Sequence, residues 1–277
     1  MFTQKGNYIY LPVDRIDECR FKDLGKHVSA YVKMDSQEDI VAAILVKNFN
    51  TYAFVVSLSK KGMIKKTSLP KYDVSRSSKS LGAMKLREGD EVVSVKVCYQ
   101  DDDLIVVTKN GFYNRYSEAI LQDLAVRAQG VSAISVKDDE AVAVVPFRKD
   151  GNELYLCSQK GSMKRIHIDA IPLTNRAVKG GRLYKQTKTN PNYLIKADSV
   201  SAYLSYYIDD GELKIMDVKD VPFMDIDATF SSPIDVKAPF SLLKSDMSDI
   251  ITAEIVDFPE DYQKEESSIL QTNLFDE

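Results

Sequence analysis

A glycine recurs at near-constant spacing: Gly6, Gly62, Gly111, Gly161 and Gly211, separated by 56, 49, 50 and 50 residues. Each closes the same local frame, a run rich in Val, Ile, Tyr and Thr, a tight polar turn, and a second such run. Asn110-Gly111 and Asp210-Gly211 are hairpin pairs, because glycine adopts the positive φ that twisted hairpins need. A third apolar run follows in each unit, at 40–46, 91–98, 141–147, near 193–197 and at 250–256. The apolar period is near two, which excludes a helical solenoid. Repeats of about fifty residues, each a small antiparallel sheet, point to a propeller-like ring of blades. The expected units are 1–50, 51–100, 101–150, 151–200 and 201–258, with 259–277 outside the repeat. A second small residue recurs 19 or 20 positions after each turn, at Gly25, Gly82, Gly130, Gly181 and Ser231. It is expected to mark a bulge or a close backbone approach. Unit one has little chain before its turn, as a fragment cut inside a blade would.

Among 277 residues, 44% are hydrophobic and 28% charged, which excludes wholesale disorder. The longest apolar run, 40–46, is too short to span a bilayer, and no basic stretch leads into an apolar one as in a signal peptide. Cys19, Cys98 and Cys157 are odd in number and widely spaced. They suit buried or half-buried strand thiols in a reducing cytoplasm rather than a disulfide framework. With two histidines, and no P-loop, dinucleotide fingerprint, nucleophile–base set or metal motif, no catalytic or metal-ligating residue and no cofactor is expected. Asp101-Asp-Asp103 reads as a polar connection between blades, and Tyr8, Tyr10, Phe112 and Tyr113 as blade packing. A protein-interaction propeller is the rival class. The absence of Trp disfavours blades of the WD type, and the 12 glycines are few for another family with repeats near fifty residues.

The net charge of −4 hides two basic zones. Residues 51–100 carry ten basic against four acidic side chains, and residues 151–200 nine against three. Residues 101–150 carry six against nine, and residues 201–258 four against twelve. Such clusters, rather than net charge, set the potential a polyanion meets. Lys60, Lys61, Lys65, Lys66, Arg76, Lys79 and Lys85 fall in the first zone. Lys160, Lys164, Arg165, Arg176, Lys179, Arg182 and Lys185 fall in the second, with Arg115 and Arg127 between them. Matched repeat positions and turn or loop placement put these residues on a rim.

The sequences Gly62-Met-Ile-Lys-Lys66 and Gly161-Ser-Met-Lys-Arg165 resemble the blade motif of the C-terminal β-pinwheel domains of bacterial type IIA topoisomerase A subunits. Phe2 to Val13 and Lys22 to Val28 are most similar to the topoisomerase IV branch. The resemblance covers 1–258 and implies an all-β disc of four-stranded blades that exchange strands. With about five blades here, where the family commonly places a sixth first, the ring should be open or incompletely closed. It also implies duplex DNA bound and bent on the basic rim by the sixteen cations named above. In the parent heterotetramer the B subunits carry the ATPase, and ATP and Mg act outside this domain. The strand-passing tyrosine lies in an N-terminal part that nothing here resembles. Gyrase members carry a Gln-Arg-Arg-Gly-Gly-Lys-Gly box. The nearest stretches here, Arg176–Arg182 and Ser75–Gly82, depart from it, which favours topoisomerase IV over a gyrase wrapping domain. A cytoplasmic, nucleoid-associated location follows. Reversing Lys65, Lys66, Lys164 and Arg165 to Glu is expected to remove most DNA affinity.

The tail 259–277 is acidic and expected to be disordered. Within it, Gln271, Leu274 and Phe275 resemble the short peptide by which replication proteins dock on the sliding clamp. The alternatives are competition for the basic rim and no specific role.

Overall fold

The computed structural model describes residues 1–251 except 21–22, 76–77, 148–152, 188, 200–203, 210–211, 232–239 and 243–249. The tail residues Gln271, Leu274 and Phe275 therefore lie outside the described residues, as does Arg76. The chain is all-β, with single 3-10 turns as its helical elements among those residues. Among the described residues no helix is long and apolar enough to cross a membrane.

Each repeat begins with an antiparallel hairpin. The pairs are Phe2–Thr3 with Asn7–Tyr8, Phe54–Ser59 with Met63–Ser68, Asp103–Thr108 with Phe112–Ser117, Glu153–Ser158 with Met163–His167, and Leu204–Asp209 with Glu212–Asp217. The turn glycines 6, 62, 111 and 161 all have φ between 72° and 80°, the left-handed region that closes these turns cheaply. A third strand pairs on the other edge of the first: Ile40–Ala42, Val92–Cys98, Ala141–Phe147, Leu194–Ser199 and Phe240–Leu242.

In the sheets of repeats one to three the fourth strand comes from the following repeat. Leu81–Gly82 pairs with Asn7–Tyr8, Val131–Ser132 with Met63–Ser68, and Gly181–Arg182 with Phe112–Ser117. Ser231 makes the corresponding single bridge to Met163. This register corrects the glycine alignment read from spacing. Leu81, Val131, Gly181 and Ser231 are the equivalent residues, so Gly82, Gly130 and Gly181 occupy three different positions. Close backbone approach is made by Gly130 and Gly180, one residue before the exchanged position, while a Cβ at Gly181 would stand 2.5 Å from the Tyr113 ring. A Cβ would stand 2.5 Å from the Ile64 carbonyl oxygen at Gly130, and closer still to that of Tyr113 at Gly180. Gly25 has nothing within 4 Å of such a Cβ.

The third strand of repeat five is also corrected. Phe240–Leu242 takes that place, and Ile250–Ile251 pairs in parallel with Leu45–Val46 of repeat one. That short contact joins the last repeat to the first, while the sheets themselves stay open.

The cores lie between blades. Val55, Val95 and Val97 pack with Phe2, Tyr8 and Tyr72 of the first seam. Their strand neighbours Phe54, Val56 and Leu58 pack with Leu104, Val106 and Ile134 of the second. Ile105 and Val107 then join Leu154, Leu156 and Tyr184 in the third, and Tyr155 and Cys157 join Met216 and Val221 in the fourth. A strand buried on both faces must be apolar at successive positions, which explains runs such as Leu104-Ile-Val-Val107. Cys98 and Cys157 are buried strand thiols, and burial pushes the Cys157 thiol up to about 12. Cys19 is exposed, contrary to the sequence expectation.

Candidate nucleic-acid interface

The basic residues fall into two populations. Those on the second strand of each hairpin turn inward, onto the following repeat. Lys65 and Lys164 are fully buried and Lys66 is 6% exposed. Lys65 Nζ donates to Thr67 Oγ1 at 2.5 Å and to the Ala125 carbonyl at 3.2 Å. Lys164 Nζ donates to the carbonyls of Asp225, Ile226 and Ala228 at 2.8, 3.3 and 3.0 Å. At the same register, Asn114 donates its amide to the carbonyls of Ala133 and Val178.

One residue further, Lys66 Nζ meets Glu118 Oε2 at 2.5 Å and also donates to the Glu118 carbonyl. Arg115 is fixed by Asp103 and donates to the carbonyls of Ile168 and Ile171. Arg165 is fixed by Glu153 and donates to those of Val221 and Lys219. In each case the acceptor lies in or beside the 3-10 turn of the next repeat. These side chains hold blade to blade. Lys65, Lys66 and Lys164 are out of reach of a phosphate, and the guanidiniums of Arg115 and Arg165 are already engaged. This corrects the rim placement for those five residues. Burial pushes the Lys65 and Lys164 ammoniums down to about 8.

Lys60 and Lys61 stand at the hairpin end among carboxylates. Lys60 Nζ pairs with Glu91 at 3.0 Å and Glu140 at 3.4 Å. Lys61 Nζ donates to the Glu88 carbonyl. Both line a cavity of about 730 Å³ together with Asp90, Glu91, Asp139 and Glu140, a mixed-charge setting. Lys160 donates to the Asn190 carbonyl. Asp101 to Asp103 connect blades as expected: Asp102 accepts from Tyr99 N, its carbonyl accepts from Glu118 N, and Asp103 pairs with Arg115.

The second population lies on the loops that lead into and out of the exchanged strands. A backbone ladder runs through those loops from repeat to repeat. Lys33 N donates to the Ser78 carbonyl, Lys85 N to Ala128, Ser135 N to Val178 and Lys185 N to Ala228, at 3.0 to 3.3 Å. The donors occupy one register position in successive repeats, and three of the four are exposed lysines. Beside the acceptors stand Lys79 and Lys179, also exposed. Arg127, at φ 72°, crosses Gly82 of the preceding repeat, where a Cβ would meet its Cγ at 3.1 Å. Lys179 Nζ and the Arg182 guanidinium lie 4.5 and 4.3 Å from the centre of the half-buried Phe112 ring. That ring therefore seats two cations, a role that blade packing alone does not describe. Arg176 donates to the Ser132 carbonyl.

Among the described residues, Lys33, Lys79, Lys85, Arg127, Lys179, Arg182 and Lys185 have no carboxylate within ion-pair distance. The tract stops at repeat five, where the same loop exposes Asp225 and Asp227. Lys33 was missed in the sequence. Its signal was the spacing of 52, 50 and 50 residues through Lys33, Lys85, Ser135 and Lys185.

The all-β repeat architecture agrees with what the chain resembles in known proteins. A family model described as the DNA gyrase C-terminal domain, beta-propeller, matches residues 1–47, 53–98, 102–146 and 152–190. The chain belongs to this gyrase C-terminal β-propeller family. Within the family it is similar to the A subunit of DNA topoisomerase 4 from Staphylococcus aureus (strain MSSA476), 34% identical over 207 residues. Those cover 75% of this chain and 26% of that protein, so the chain spans about a quarter of the length of such relatives. Among solved structures, the C-terminal domain of DNA topoisomerase IV superposes with a TM-score of 0.77 at 28% identity. It covers 84% of this chain and 73% of its own. The DNA gyrase A C-terminal domain gives a TM-score of 0.71 at 20% identity, over 88% and 79%, and shares the fold.

Proposed function

We propose that this propeller binds duplex DNA along the exchange-loop tract, through Lys33, Lys79, Lys85, Arg127, Lys179, Arg182 and Lys185. The observation that carries the reading is the ladder itself. It holds unpaired cations at matched positions of successive blades on a fixed backbone, as contact with a polyanion's regular phosphates requires. Lysine and arginine on phosphates carry no base information, so binding is sequence-tolerant. Repeat three contributes Arg127 but has Gln129 and Ser135 where its neighbours have lysine. Contact is therefore densest on either side of it and DNA bends locally there, while Asp225 and Asp227 end the path. In the parent protein this domain is the non-catalytic part of a topoisomerase IV A subunit. Working with the B subunit, it positions crossing duplexes for ATP-dependent strand passage in decatenation and relaxation.

The test replaces Lys85, Lys179, Arg182 and Lys185 together by Glu and titrates duplex DNA at several salt concentrations. Each lost phosphate contact lowers the slope of log K against log salt by roughly 0.9, so the quadruple variant loses roughly 3 to 4. A folded variant that binds with the wild-type slope overturns the assignment.

A further inference from the structure

Among the described residues, Arg127 and Ala177 are non-glycine positions at positive φ, 72° and 64°. They hold one register position in repeats three and four. Arg127 N donates to the Ala83 carbonyl at 3.2 Å, and Ala177 N to the Ala133 carbonyl at 2.9 Å. The fold therefore imposes the left-handed conformation on this loop, and a residue with a Cβ is strained in it. Glycine would hold the position at less cost, so an arginine there needs another reason.

The two repeats differ in what the side chain meets. In repeat three the Arg127 stem lies over Gly82, where a Cβ would stand 3.1 Å from its Cγ, 3.6 Å from Cδ and 3.7 Å from Nε. Gly82 belongs to the extended strand Leu81–Gly82 and is not at positive φ, so it provides room rather than backbone freedom. That strand pairs with Asn7–Tyr8 of repeat one. The guanidinium is near enough to the Tyr8 hydroxyl to offset part of the upward pKa shift that burial produces there. Arg127 thus reaches from repeat three across a strand of repeat two towards repeat one, and it is exposed. In repeat four the residue equivalent to Gly82 is Ser132, and the arginine stands one place earlier. That residue, Arg176, gives its guanidinium to the Ser132 carbonyl.

On the DNA-binding reading proposed above, we infer that Arg127 is a pre-set phosphate clamp, aimed by its strained backbone and seated in the channel that Gly82 leaves open, which makes Gly82 a positioning residue for DNA. A stem already lying along the strand loses little freedom when its head takes a phosphate. Its reach also ties the duplex to the repeat where Gln129 and Ser135 interrupt the row of lysines.

The experiment is a double-variant cycle on the full chain, with duplex DNA titrated at several salt concentrations and thermal unfolding followed in parallel. Arg127→Gly lowers the slope of log K against log salt by roughly 0.9 and raises the unfolding midpoint. Ala177→Gly raises the midpoint and leaves DNA binding unchanged. Gly82→Val keeps every charge yet weakens binding about two- to tenfold, the range expected when one long side chain must be ordered on binding. In the Arg127→Gly background, Gly82→Val costs nothing further. A wild-type slope or a lowered midpoint in Arg127→Gly overturns the inference. So does a folded Gly82→Val that binds as the wild type does, or one whose loss is equal in both backgrounds. A wild-type slope in the quadruple Lys85, Lys179, Arg182 and Lys185 variant as well removes the DNA reading itself, whereas a lowered slope there removes the clamp alone.

Discussion

The seam between repeats one and two and the three seams after it solve one problem in two ways. Three and four residues beyond the turn glycine, the later repeats place Lys65 and Lys66, Asn114 and Arg115, and Lys164 and Arg165, all donating to the repeat that follows, Asn114 through its bond to Val178. Repeat one has Ile9 and Tyr10 there. Ile9 is 2% exposed, and Tyr10 meets Phe49 edge-on at 5.6 Å. Beside them Phe2, Tyr8 and Tyr72 form an aromatic cluster with centroids 5.1 to 6.2 Å apart. At these two positions the first seam gains burial without a side-chain donor. The later seams fix each blade's angle by binding named carbonyls, and they confine ammonium groups in a dry setting to do so. The basic blade motif is therefore a device of assembly, and the exposed cations without ion-pair partners lie elsewhere in the repeat.

The largest expected effect is at Lys66. Lys66→Ala leaves Glu118 buried without its partner and should cost about 3–5 kcal/mol in urea unfolding. Lys66→Met combined with Glu118→Leu should recover most of that loss, because the penalty comes from the stranded charge. A double variant as unstable as the single one would mean that the bonds to the carbonyl matter more than the pair. At the first seam, Ile9→Ala should cost about 2–4 kcal/mol through the cavity it leaves, with no dependence on pH between 6 and 10.

The third effect is a slope in pH, shared between two sites. Lys65 and Lys164 release their protons near 8 in the folded chain, against about 10.4 in the unfolded one. Between those values the unfolded state binds more protons, so stability rises as pH goes from about 8 to 10. Above about pH 10 it turns down, because burial raises the Tyr72 and Tyr116 hydroxyls and only the unfolded chain ionises them there. Lys65→Met with Lys164→Met should flatten the rise. A fall in wild-type stability over that interval, or an equal rise in the double variant, would break the contrast between the seams.

The repeat made the fold class legible, because turn glycines fifty residues apart with period-two runs leave few alternatives. Register was less legible. Gly82, Gly130 and Gly181 look equivalent by spacing, but pairing with Asn7–Tyr8, Met63–Ser68 and Phe112–Ser117 slides them apart. The site was half legible. Lys79, Lys85, Lys179, Arg182 and Lys185 are exposed, whereas Lys65 and Lys66 read as surface charge and are buried. A lysine pair on a strand gives no local sign that a segment sixty residues later will cover it. All six residues of Met63–Ser68 are buried because the turn and loop of repeat three lie against them. Glu118 was the available clue, an acidic residue in the next repeat's turn.

Borrowing the fourth strand from the following repeat also sets a timetable for synthesis. Blade two opens at Phe54 and receives its last strand only with Val131–Ser132; blade three opens at Asp103 and waits for Gly181–Arg182. A chain growing from its N-terminus therefore always carries one blade with a bare outer edge, and maturation trails translation by a full repeat. Bare edges are where polypeptides pair with the wrong neighbour. The hazard is carried forward from blade to blade as each new repeat emerges and covers the edge left by the one before.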